Sequence, residues 1–164
     1  MPETIALREY AVGDYPAVAK LWREVFGALK PEDEPQALTR TAADNPGLFL
    51  VAQVGGEIAG TVIGTTDSRR GFLHHVAVHP RWRRRGIARS LLAEVEQRLW
   101  ATGVLTIHLR VESSNATAIE FYHRLGYTTD PPVIGMRRIR PSDPPAASPA
   151  SPFSVQSPGA EIGP

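Results

Sequence analysis

The sequence predicts a single α/β domain, on three observations. The hydrophobic period switches repeatedly between about two and about 3.6 along the chain, the mark of strands interleaved with helices. The periodic segments are short and are separated by Gly, Pro, Asn and Asp at turn positions. With 164 residues and 42% apolar content, the chain has enough to bury for one ordinary core.

The elements follow in order. Residues 5–9 read as a first strand. A helix starts near Asp14, with Val18, Leu21, Trp22 and Val25 at i, i+3, i+4 and i+7 on one face. A shorter helix is predicted over 34–43, after the acidic turn KPEDEP and before the breaker Asn45-Pro46-Gly47. Residues 49–54 and 57–66 flank Gly55-Gly56, a two-residue loop suited to a hairpin turn. Residues 67–70 turn into 71–78, an apolar run with two histidines. Regular alternation there puts Phe72, His74, Val76 and Val78 on one face and Leu73, His75, Ala77 and His79 on the other. A long helix over 87–101 carries Leu91, Val95 and Leu99 inward and stops at Gly103. Residues 105–111 read as a strand. Ser114-Asn115 starts a helix that runs to Leu125 and stops at Gly126, and 133–139 reads as a last strand. Beyond this the composition turns to Pro, Ser and Ala, which predicts a domain over 1–140 and a flexible tail over 141–164.

Charge and composition narrow the function classes. Lys plus Arg number 18 against 17 Asp plus Glu, so the chain is near neutral and lacks the overall field of a nucleic-acid binder. The absence of cysteine excludes disulfides, thiolate metal sites and a cysteine nucleophile. His74, His75, His79 and His108 come without a matching carboxylate set, so no metal is expected. The start MPETIALREY lacks a basic segment followed by an apolar core, and no apolar run approaches a membrane span, which predicts a cytoplasmic protein without a membrane partner.

Against that neutral background, five of the fourteen residues in 79–92 are arginine. They sit where FLHHVAV passes through HPRWRRRG into IARSLLAEVEQRL, a strand, loop and helix with Gly86 at the helix mouth. Unpaired N–H groups and the positive dipole end make such a mouth a seat for a phosphate or pyrophosphate, and nearby arginines add the charge.

Arg83-Arg84-Arg85-Gly86-Ile87-Ala88 resembles the R/Q-x-x-G-x-G/A pyrophosphate loop of the GNAT superfamily of N-acetyltransferases, which use acetyl-coenzyme A. Val76-Ala77-Val78-His79-Pro80 is similar to that family's strand-end signature. Asn115-Ala116-x-Ala118 with Phe121-Tyr122 and Leu125-Gly126-Tyr127 resembles its second cofactor motif. The resemblance covers roughly 4–140 and implies a GNAT fold: a mixed, mostly antiparallel sheet of six to seven strands with one splayed parallel pair and helices on both faces.

It also implies roles. Main-chain groups of Val76, Ala77 and Val78 would pair with the pantetheine arm, and the Val76 N–H would polarise the thioester carbonyl. Arg83, Arg84, Arg85, Gly86, Ile87 and Ala88 would hold the pyrophosphate, and Asn115 would bond the cofactor arm. Tyr122, a phenol with an ordinary pKa near 10, would protonate the departing thiolate. Some members carry the general base at positions matching Phe72 or His74, and only His74 has base chemistry here. The ribosomal-protein alanine acetyltransferases place a glutamate where this sequence has Arg110, with Glu112 two residues on. The implied acceptor is a small-molecule amine or a peptide N-terminus, and the implied assembly a monomer or homodimer.

Overall fold

The computed structural model describes residues 3–141. Its element order is β1 (Ile5–Glu9), α1 (Tyr15–Phe26), α2 (Pro35–Asp44), β2 (Phe49–Val54), β3 (Glu57–Thr66), β4 (Arg70–Val78), α3 (Ile87–Ala101), β5 (Thr106–Leu109) and α4 (Ala116–Arg124). The five strands lie in chain order in one sheet, antiparallel from β1 to β4 and parallel between β4 and β5. This is the mixed, mostly antiparallel α/β fold with one parallel pair that the resemblance implies.

Each face of the sheet is covered because each helix has one apolar stripe. On one face, Val18, Leu21 and Trp22 of α1 and Leu38 of α2 pack with Phe49, Val51, Ile63 and Ala77. Trp22 is fully buried, and its indole N–H donates to the hydroxyl of buried Thr61 at 2.9 Å. Truncating such a side chain to alanine costs about 3–5 kcal/mol. The other face takes α3, whose Ile87, Leu91, Val95 and Leu99 are all buried. Here the helix rests on strand positions without side chains. A Cβ added to Gly60 would lie 3.0 Å from Ile87, and one added to Gly64 only 2.8 Å from Val95. Helix and sheet therefore approach as closely as backbone allows.

Two departures position the site. The β4–β5 ladder runs only from Arg70↔Thr106 to Leu73↔Leu109, after which the strands part and β4 continues alone to Val78 on that edge. Within β4 the pairing with β3 slips between Thr61↔Ala77 and Ile63↔His74, and His75 has a φ of 49°. That bulge corrects the regular alternation expected for this strand. His74 pairs opposite Ile63, and His75, Ala77 and His79 all meet α1 or the core it covers, so His74 and His75 face the same side. One inserted residue resets the two-residue period.

The strand expected over 133–139 is not formed, and the sheet among the described residues has five strands rather than six to seven. The chain divides into Met1–Gly126, which holds every helix and strand among the described residues, and Tyr127–Pro164. In the second unit, Val133, Ile134, Met136 and Ile139 are each at least 71% exposed. A short run with several apolar residues can suggest a strand but does not make one without a laddered neighbour. The expected flexible tail, 141–164, lies outside the described residues apart from Pro141. No helix among the described residues is long and apolar enough to cross a membrane.

Candidate active site

The arginine-rich turn is built on a buried indole. Pro80–Trp82 forms a single helical turn whose start is capped by His79, with Nδ1 accepting the Arg81 N–H at 3.1 Å. Trp82 is only 4% exposed, and the guanidiniums of Arg81 and Arg85 lie 4.5 and 4.8 Å from its ring centroid. Cation–π contact and ion pairs thus occupy two of the arginines, Arg81 with Glu57 and Arg85 with Glu3. Arg83 closes the turn, its Nε donating to the Val78 carbonyl at 3.3 Å.

The next residues shape a cradle. Arg84 has a φ of 63° and Gly86 of 81°, so the backbone passes twice through the left-handed region just before α3. Successive amides in such a segment converge as an anion-binding nest. No side chain caps the α3 N-terminus, and a Cβ on Gly86 would meet nothing within 4 Å, so the space before the helix mouth is open. Ile87 is buried and offers only its main chain, while Ala88 is half-buried.

Across from the cradle stands α4. A cleft of about 550 Å³ is lined by Arg84 and Gly86 on one side and by Thr117, Glu120, Phe121 and Arg124 on the other. The two motifs, some thirty residues apart in sequence, therefore share one cavity. Phe121 forms part of its wall and meets the Tyr122 ring edge-on at 5.3 Å. Tyr122 is half-buried, and desolvation pushes its phenol up to about 12, so it is fully protonated at neutral pH. Asn115 caps α4, its Oδ1 accepting the Ala118 N–H at 3.1 Å.

The β4 residues lie at the parting of the strands. Val76 and Val78 are half-buried and Ala77 is core. The His74 Nε2 lies 3.0 Å from the Thr65 hydroxyl, and its ring stacks at 6.5 Å from Phe72. Desolvation, then the nearby His75 and Arg110, lower its pKa below the ordinary imidazole value. Arg110 and Glu112 are both exposed.

One pair was not expected from the sequence. Asp33, part of the acidic turn KPEDEP, is 3% exposed. Its Oδ1 lies 2.9 Å from His75 Nε2, off the line of a straight hydrogen bond, and its Oδ2 accepts the Lys30 N–H at 2.8 Å. The only trace in the sequence is a carboxylate-rich turn in a chain that carries paired histidines on a strand.

Comparison with known proteins shows the family and the fold. The profile of the acetyltransferase (GNAT) family matches residues 15–127. An acetyltransferase of Pectobacterium atrosepticum is 40% identical over 135 residues, covering 81% of this chain and 95% of that one. Among solved structures, the PaiA N-acetyltransferase of Thermoplasma acidophilum in complex with coenzyme A superposes with a TM-score of 0.70 at 19% identity, covering 77% of this chain and 91% of that one. The ribosomal-protein-S18-alanine N-acetyltransferase of Escherichia coli gives 0.63 at 24% identity, over 75% of this chain and 77% of that one.

Proposed function

The chain belongs to the acetyltransferase (GNAT) family and is an acyltransferase, and on that footing we propose that it moves the acetyl group of acetyl-coenzyme A directly to a primary amine within a ternary complex. The acceptor is the amine of a small molecule or of a peptide N-terminus. The observation that carries the proposal is the shared cleft, in which the left-handed Arg84–Gly86 cradle faces the helix that bears Tyr122. A doubly left-handed turn with open space before an uncapped helix fits a pyrophosphate, so the residues present suit the donor.

When bound, acetyl-coenzyme A supplies an activated thioester and a thiol leaving group. Around it, Arg83, Arg84, Arg85, Gly86, Ile87 and Ala88 have distinct tasks. Gly86, Ile87 and Ala88 present main-chain N–H groups, and Arg84 presents charge as well. Arg83 and Arg85 hold the turn's shape through Val78 and Trp82. Val76, Ala77 and Val78 offer main chain where β4 runs on without β5, and the Val76 N–H would stabilise the carbonyl oxygen on which charge gathers. Asn115 orders the start of α4 and would border the donor arm. Tyr122 would give a hydrogen bond to the leaving sulfur.

His74 takes the proton of the acceptor. An amine near 10.4 needs about 4.6 kcal/mol to deprotonate at pH 7, and an α-amine near 7.8 only about 1 kcal/mol. A neutral imidazole beside the attacking nitrogen suits the second task with little assistance. A thiol-release screen over small amines, polyamines, amino acids and peptide N-termini tests the reading. Release above background with one amine class is expected. No release across the panel, with coenzyme A still bound, would leave a non-catalytic acyl-coenzyme A sensor instead.

A further inference from the structure

The bulge in β4 places a side chain where the backbone turns left-handed. At φ 49° His75 holds a conformation uncommon outside glycine, one that histidine adopts more often than most side chains and that concentrates at functional sites. Several contacts hold it there. The ring lies 4.1 Å from the Trp22 ring and meets Phe26 edge-on at 5.7 Å. The His75 carbonyl accepts the Thr61 hydroxyl at 2.9 Å, and that hydroxyl accepts the Trp22 indole. The imidazole Nε2 stands 2.9 Å from Asp33, whose burial is costly unless it is matched.

Asp33 belongs to the single helical turn Pro31–Asp33 that joins α1 to α2, and Lys30 and Glu32 are the other charges acting on His75 from that turn. A buried acid and a left-handed residue, each unfavourable alone, thus meet in one contact. The residue after His75 is Val76.

We propose that the Asp33–His75 couple is a positioning device for acyl transfer, locking the bulge so that the Val76 main chain faces the parting of β4 and β5. Neither side chain touches the reacting atoms. Through the couple, the α1–α2 turn is fastened to the strand that carries the reaction. The proposal rests on the transferase reading for its effect on rate, though not for its effect on the backbone.

The test uses full-length Asp33→Ala, Asp33→Asn, His75→Ala and His75→Gln, with the Asp33→Ala/His75→Ala double variant. Three quantities are read: kcat for thiol release, affinity for coenzyme A by calorimetry, and amide hydrogen exchange at residues 74–77. Each alanine variant is expected to lower kcat about tenfold or more through misplacement, with coenzyme A affinity within about threefold of wild type. The double variant should be no worse than the singles, as for one shared contact. Exchange at His74 and Ala77, which pair with Ile63 and Thr61 on either side of the bulge, should quicken about tenfold. His75→Gln, whose amide N–H can still reach Asp33, should recover part of both, and with Asp33→Asn it decides the matter if the alanine variants do not fold. Unchanged kcat with only a lower Tm, or penalties that add independently, overturns the proposal. If wild type releases no thiol from any amine, the transferase reading falls by itself. Unchanged exchange at His74 and Ala77 then still refutes the couple.

Discussion

Replacing Tyr122 by phenylalanine removes one oxygen from α4 and leaves the ring that packs on Phe121. The size of the effect follows from the phenol's position. Burial holds it at about 12, so at pH 8 only about one molecule in ten thousand is ionised. An ordinary thiol lies near 8.5, about 3.5 lower, and complete proton transfer from this phenol would run uphill by about 5 kcal/mol. In the proposed reaction Tyr122 would therefore act as a hydrogen-bond donor to the sulfur as charge develops there and keep its own proton, the thiolate being protonated from solvent. A hydrogen bond to a charged group is worth about 1.5–3 kcal/mol, so Tyr122→Phe should lower kcat about 10- to 100-fold. The KM for acetyl-coenzyme A should hardly change. Thiol release measured from pH 6 to 10.5 should show no loss of activity from tyrosine ionisation, because that limb lies near 12. A variant within twofold of wild type would refute the assignment. A basic limb near 10 that vanishes in Tyr122→Phe would refute the account of its environment.

Further outcomes follow from other parts of the site. Because the His74 pKa is lowered, the acid limb of kcat/KM should lie below 6.5 and disappear in His74→Gln; a midpoint above 6.5 contradicts the assignment. The same lowering means that the unfolded chain takes up the proton more readily, so His74's share of stability is whole above 6.5 and is lost as pH falls below it. Gly64→Ala forces a methyl to within 2.8 Å of Val95 and 3.3 Å of Leu48. A loss of about 1–3 kcal/mol, or about 5–10 °C in Tm, is expected by calorimetry, and an unchanged Tm would deny the close packing of α3. Gly86→Ala meets no neighbour but imposes a side chain at φ 81°. Relaxation of that turn should weaken coenzyme A binding about tenfold, and equal affinity would count against the cradle.

Much of this was legible in the sequence for a physical reason. Helix faces repeat at a fixed period, and α1, α3 and α4 start and stop at Pro, Gly and Asn residues that act locally. The Arg83–Ala88 segment could be read as an anion seat because a helix mouth needs no distant partner. What could not be read depends on tertiary contact. The bulge at His75 is one residue out of register, fixed by Thr61, Trp22 and Asp33 from three other elements. Asp33 looks solvated among its acidic neighbours and is buried only because a strand passes beneath it. The run of arginines gives no sign that Arg81 and Arg85 lie against the Trp82 ring. Residues 133–139 carry Val133, Ile134, Met136 and Ile139, but local composition says nothing about whether a ladder partner will be there.

The closeness of α3 to the sheet has a consequence for which donors can react. Ile87, Leu91 and Val95 settle onto Gly60 and Gly64, where no side chain stands between helix and strand to let one slide on the other. On the proposed reading, the helix mouth at Gly86 and the Val76 main chain beside the His75 bulge would be the two jaws of a gauge set by packed backbone. A thioester gripped at its phosphates and attacked beside Val76 would then need an arm of matching length. Fragments that keep only the acyl end or only the nucleotide end would fill one jaw and leave the other empty.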